Sequence, residues 1–164
     1  MNDLPLALES PRWRELTQRF GSAEDIPRLL AALATERGAR ERDELWFGVW
    51  ATLCTERRVF TASYAAVPHL LSITADQGVA ERALAVHVAT EVEISRHGHG
   101  APAIPDDLVG AYARAVESLP AVVTELAAVP WNRPTALVMA AALLAGKRHP
   151  TMARAVLVMG DDEQ

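Results

Sequence analysis

The sequence predicts an all-α fold, built from helix pairs that stack along a row. Three observations lead there. Ala, Leu and Val dominate a chain that is 50% hydrophobic but only 5% aromatic, and Ala and Leu favour helix whereas strands prefer β-branched and aromatic side chains. Apolar residues recur at helical spacing, and no segment sustains period-two alternation. A short proline-centred motif returns three times along the chain.

Gly, Pro and polar clusters cut the sequence into segments of helical length. Ser10-Pro11 places an N-cap before a proline, which predicts a helix ended by Gly21. A second helix begins at 22–25, carries Ile26, Leu29, Leu30 and Leu33 on one face, and stops at Gly38. The third, over 42–57, has Leu45, Val49 and Leu53 in one row and Trp46, Trp50 and Cys54 in the next, a stripe wide enough for two neighbours. Further helices are predicted over 63–74, with Ser63 as N-cap, and over 79–95, with Leu84, Val88 and Val92. After a Gly- and Pro-containing loop at 97–105 come helices at 106–117, 119–128 (or a continuation past Pro120), 134–145 and 152–159. Residues 1–9 and 160–164 read as loose tails of a single domain spanning 1–164.

Three predicted helix starts share a pattern: Ile26-Pro27-Arg28-Leu29-Leu30, Val67-Pro68-His69-Leu70-Leu71 and Leu119-Pro120-Ala121-Val122-Val123. Pro27 and Pro68 are 41 residues apart, and Pro68 and Pro120 are 52 apart, the longer spacing absorbing the 97–105 loop and the helix after it. A proline in the first turn loses no intrahelical bond. Helix pairs recurring at about 40 residues indicate an α-solenoid, in which each pair completes its neighbour's core.

The stretch from Asp43-Glu44-Leu45-Trp46 through Phe60-Thr61-Ala62-Ser63-Tyr64-Ala65-Ala66-Val67-Pro68-His69-Leu70-Leu71 resembles the HEAT-like repeat proteins of bacteria. The likeness is clearest over 43–74; Thr55-Glu56-Arg57-Arg58 departs from the His-Gln-Gly link of that pattern. The resemblance implies a right-handed α-α superhelix of stacked antiparallel helix pairs, about three repeats long. It implies protein binding and carries over no catalytic residue. Some small helical proteins of this kind serve as immunity or antitoxin partners of bacterial toxins.

The formal charge of −5 argues against nucleic acid, whose binding runs on clustered Lys and Arg, and suits a basic protein partner. Cys54 is the sole cysteine, so no intrachain disulfide can form. The apolar run 136–145 is far short of the roughly 20 residues that cross a bilayer, and 1–8 lacks the basic and apolar regions of a signal peptide. A cytoplasmic location is the expectation, with no membrane partner.

Two clusters could carry chemistry. His97 and His99 lie on the Gly-containing loop, but a zinc site needs three or four ligands and no neighbour supplies the rest. His87 and Glu91 stand four apart on one helix, where a carboxylate could orient an imidazole; a hydrogen-bonded structural pair is the plainer reading. Glu91 and Glu93 point about 200° apart and cannot face each other. Neither a hydrolase elbow nor a phosphate loop is present. The expectation is a protein without catalytic, metal or cofactor-binding residues.

Binding candidates are Asp43, Glu44, Trp131 and Arg133. Asp43 and Glu44 belong to an acidic group with Glu24, Asp25 and Glu41, readable as helix-dipole stabilisation or as a patch for a basic partner. Trp131, in Val-Pro-Trp-Asn-Arg-Pro, is either a surface anchor or a plug over helix ends. The leading expectation is a protein-binding scaffold, with neutralisation of a basic toxin domain as its most concrete form. The alternatives are a small-ligand or metal-dependent enzyme using His87/Glu91 and the His97/His99 loop, and a self-associating structural module.

Overall fold

The computed structural model describes residues 3–160. It is mostly helical: α1 (Ile26–Thr35), α2 (Ala39–Leu53), α3 (Thr61–Thr74), α4 (Val79–Ser95), α5 (Val109–Leu126), α6 (Arg133–Gly146) and α7 (Pro150–Val158). Two short hairpins interrupt the helices, β1 (Thr17–Gln18) with β2 (Gly21–Ser22), and β3 (Cys54–Thr55) with β4 (Arg58–Val59). No described helix is long and apolar enough to cross a membrane.

The first expected helix does not form. Ser10 accepts from the Arg12 amide as predicted, but only a single 3-10 turn, Pro11–Glu15, follows. Trp13 and Leu16 are the inward residues, which one tight turn accommodates. Beyond it the backbone finds better partners elsewhere: Thr17 N–H donates to Thr61 Oγ1 at 2.8 Å and Arg19 N–H to the Thr52 carbonyl at 3.1 Å. Gly21, at φ 126°, closes the hairpin where a side chain would be strained. The N-terminal stretch expected to be loose is held from residue 3 onward. Asp3 pairs with Arg114, Trp13 Nε1 donates to the Ala7 carbonyl at 3.0 Å, and His69 Nε2 meets the Leu6 carbonyl at 2.8 Å. The expected C-terminal tail lies, beyond Gly160, outside the described residues.

Helix α1 follows its pattern, with Ile26, Leu30 and Leu33 buried. Helix α2 ends at Leu53, short of residue 57, because Cys54 and Thr55 pair with Val59 and Arg58. The two turn residues, Glu56 at φ 52° and Arg57 at φ 60°, occupy left-handed backbone that hairpins of this length usually give to Asn-Gly. Ser63 is not the cap of α3: the helix starts at Thr61, and Ser63 Oγ is buried, accepting from Phe60 N–H at 3.0 Å and donating to the Leu53 carbonyl at 2.6 Å. It locks the start of α3 to the end of α2.

The proline motifs do not occupy equivalent helix starts. Pro27 stands in the first turn of α1, but Pro68 lies inside α3 and Pro120 inside α5, which is one continuous helix. The interior prolines are tolerated where neighbours take up the disruption. Pro120 deprives the Val116 carbonyl of its helical donor, and here α6 comes close: a Cβ on Gly146 would sit 2.6 Å from Pro120 Cδ and 3.2 Å from the Val116 oxygen. We expect Gly146→Ala to push α6 off α5 and lower stability by about 1–3 kcal/mol, read from the urea midpoint. A loss below about 0.5 kcal/mol would show that the approach is slack.

Consecutive helices pack as α1 on α2, α3 on α4 and α5 on α6. Alternate helices also meet: α1 with α3, α3 with α5, α2 with α4, and α4 with α6. One continuous core, including Leu53, Tyr64, Leu70, Val88 and Leu119, runs through them. Helix α7 adds a smaller cluster of Ile94, Ala141, Ala145 and Ala153, where three alanines let α6 and α7 approach.

Candidate functional site

Among the described residues, the outer face of α2 and a cleft beside α6 and α7 bring together most of the sequence's candidate residues. On α2, Arg42, Trp46, Val49 and Leu53 are buried. The opposite face carries Arg40, Asp43, Glu44 and Phe47, all exposed. Phe47 is 75% exposed, the most open large apolar side chain among the described residues. At 100° per residue it projects between Asp43 and Glu44. Glu44 meets Arg40 at 3.3 Å, whereas the other acidic candidates do different work. Asp25 pairs with Arg28, and Glu41 lies in the first turn of α2, where it suits the helix dipole.

The buried side of α2 explains why this helix is held so firmly. Arg42 donates to the Leu33 and Glu36 carbonyls at the end of α1, to Gln77 Oε1 at 2.6 Å and to both oxygens of Glu81 at 3.0 and 2.6 Å. Trp46 Nε1 donates to Glu81 at 2.6 Å. The Arg42 hydrogen bond, aided by that from Trp46, holds the Glu81 carboxyl below its ordinary range.

The cleft, of about 550 Å³, opens between the β3–β4 turn, α4, the start of α6 and α7. His87 and Glu91 both line it, as their spacing on α4 allows. The His87 ring packs edge-on against Trp50, centroids 4.7 Å apart, and Glu91 accepts from Arg154 of α7 at 3.1 Å. Arg154 also reaches Ser95 Oγ at 3.4 Å. Cys54 lies at the inner end, its thiol pushed up to about 12 by burial first and by Glu91 second, so it is not a thiolate.

The histidine loop does not join this group. His97 turns to Glu93, at 3.3 Å, and His99 lines a separate small hollow beside Thr17 and Val59. The expected alternative site, which combined His87, Glu91, His97 and His99, is therefore split among three places. Among the described residues no three His, Cys, Asp or Glu side chains are placed to hold a metal ion. Glu93 is buried and accepts from Tyr112 Oη at 2.8 Å and from Arg96 at 2.7 and 2.9 Å, on the side away from Glu91 as the helical geometry requires.

Trp131 is half-buried against the main core and donates to the Leu126 carbonyl at 3.0 Å, at the end of α5. Arg133 is exposed at the cleft. Sequence reasoning passed over Phe47. Its position off both apolar rows of α2, between two acids, was the available clue. Arg154 had none, since its approach to Glu91 joins residues 63 positions apart.

These features define a helical protein with one open, acidic-flanked aromatic and one mixed-charge cleft. Comparisons with family models, with curated proteins and with solved structures give no match to this chain.

Proposed function

We propose that this chain is a non-catalytic helical-repeat scaffold that binds another protein through the outer face of α2. The observation that carries this reading is Phe47, three-quarters exposed and flanked by the exposed carboxylates of Asp43 and Glu44. An aromatic in the open costs solvation free energy unless a partner covers it, and such side chains anchor binding hot spots. Arg40 balances Glu44 on this face, so Asp43 supplies its net negative charge and favours a partner with a basic group beside an apolar pocket. Contacts between alternate helices fit a HEAT-like stack, and a right-handed superhelix of about three repeats is part of this proposal. Within this role, neutralisation of a basic toxin domain in the cytoplasm is the most concrete form.

Further support comes from the polar interior: no buried side-chain nitrogen or oxygen among the described residues lacks a hydrogen-bond partner. A fully paired polar interior is what a structural scaffold needs. The test is affinity capture from the native cell with the unaltered chain, Phe47→Asp and the double variant Asp43→Lys/Glu44→Lys. A basic protein retained by the first and reduced at least tenfold by the other two is the expected outcome, about 1.4 kcal/mol or more per change. Equal retention by all three would remove the α2 face from the account.

A further inference from the structure

Beside the β3–β4 hairpin lies a second opening, a hollow of about 260 Å³ between β1, the hairpin, the end of α4 and the loop 99–102. It shares only Arg57 with the larger cleft. Its frame is fixed before any ligand arrives. Thr17 is held through its amide, which donates to Thr61 Oγ1 at 2.8 Å, and the loop is pinned by the Tyr64 hydroxyl, which donates to the Pro102 carbonyl at 2.7 Å. Val59 and Phe60, both buried, complete the lining.

The titratable groups that line the hollow are Arg57, Arg58 and His99, and no Asp or Glu among the described residues does. None of the three forms an ion pair or a side-chain hydrogen bond among those residues. Exposed arginines elsewhere on this acidic chain find carboxylates, as Arg28, Arg40, Arg114 and Arg148 do. The acid next to Arg57, Glu56, is engaged by Arg19 at 3.4 Å. Arg58 is positioned without being occupied: its guanidinium carbon stands 5.6 Å from the centroid of the Phe60 ring. Stacking of that kind orients the group and leaves its in-plane N–H donors available. Helix ends add little net potential, because the start of α3 and the end of α4 both border the hollow and carry opposite partial charges.

We propose that this hollow binds a dianionic phosphoryl group, as inorganic phosphate or as the head of a phosphomonoester. Its oxygens accept from the forked donors of Arg57 and Arg58 and from the one ring N–H that His99 carries in either neutral tautomer. A volume below the roughly 300–1,000 Å³ of drug-sized sites holds the head and leaves the rest of an ester in solvent. The net charge of −5 disfavours a polyanion such as nucleic acid. This site goes beyond the scaffold reading and does not rest on it.

The test titrates inorganic phosphate and glycerol 3-phosphate into the full chain at constant ionic strength, following backbone amide resonances. Saturable shifts at Arg58, Val59, His99 and Gly100 are expected, with a Kd on the order of 1 mM. Tighter binding of the ester identifies a phosphomonoester as the ligand, and equal or weaker binding identifies free phosphate. Dimethyl phosphate, with one charge, is expected to bind about tenfold more weakly. Arg57→Gln and Arg58→Gln, at exposed positions that leave the core intact, are each expected to weaken binding about fivefold or more. Arg28→Gln makes the same charge change on α1 and is expected to leave binding within about twofold. Failure of both ligands to saturate by about 20 mM would overturn the proposal. So would dimethyl phosphate binding as tightly as phosphate, or Arg28→Gln weakening binding as much as Arg58→Gln.

Discussion

Replacing Arg42 with methionine is expected to lower the stability of the fold by about 3 kcal/mol, the largest loss from any single exposed-to-core contact described here. The side chain is long enough to keep the packing, so the loss isolates the guanidinium. Arg42 and Glu81 are only 10% and 23% exposed, and removing the arginine leaves Glu81 charged and partly buried with no counter-ion, held by the Trp46 hydrogen bond alone. Two carbonyls at the end of α1, those of Leu33 and Glu36, also lose their donor. Residual exposure of Glu81 puts the estimate at the lower end of the roughly 3–5 kcal/mol range for broken buried pairs. Urea denaturation at neutral pH measures it, and a loss below about 1 kcal/mol would mean that the network is incidental.

The pH dependence of that difference has a definite sign. Glu81 is held below its ordinary value in the folded protein, first by the Arg42 hydrogen bond. The unfolded chain therefore binds the proton more readily, with an unfolded carboxyl pKa near about 4.3. The stabilisation is complete above that value and is lost as pH falls through the folded one. The gap between wild-type protein and Arg42→Met should accordingly be full at pH 7 and shrink below about pH 4.

Glu93→Ala is expected to cost nearly as much, about 3 kcal/mol, lowering Tm by roughly 6–12 °C in a chain of this size. Glu93 is 4% exposed, and its removal strands the Tyr112 hydroxyl, itself 2% exposed, along with the Arg96 guanidinium. Burial first, and Glu93 second, push the Tyr112 phenol well above its ordinary value, so the hydroxyl stays protonated and needs an acceptor. Glu93→Gln keeps an oxygen for Tyr112 and gives up the charge facing Arg96. A loss near half that of alanine is expected, about 1–2 kcal/mol. If glutamine proved as damaging as alanine, the Arg96 contact would be carrying the whole effect.

How far the sequence disclosed this fold depends on whether local pattern or distant contact decided each element. Helices α1 and α4 were legible, because Ile26, Leu30 and Leu33, and Val88 and Val92, mark a face without help from other segments. Residues 11–21 were not. Their Pro and charged residues fit a helix locally, but Thr61 and Thr52 supply backbone partners that local reasoning cannot weigh. The proline motif misled in a specific way. Proline is common near helix starts, yet Pro68 and Pro120 are carried inside helices whose neighbours absorb them, as Gly146 does for Pro120.

The candidate site was legible in parts for the same reason. His87 and Glu91 share a helix, so spacing alone placed them on one cleft. Nothing local could show that Arg154 would occupy Glu91, or that His97 would turn to Glu93 instead. Asp43 and Glu44 were readable as exposed, whereas Phe47 required knowing which side of α2 faces out. That in turn depends on Arg42 being buried, which its charge argues against until Glu81 is seen beside it.

Photo-crosslinking in the native cell tests the docking face most directly. Phe47 is replaced by benzoylphenylalanine, and the same group is placed at Trp131 and at Leu137 in parallel chains. The proposal requires a covalent adduct to a basic protein from position 47 and none from position 131. An adduct from position 137 or 131 with none from 47 would contradict it, moving the binding surface away from α2.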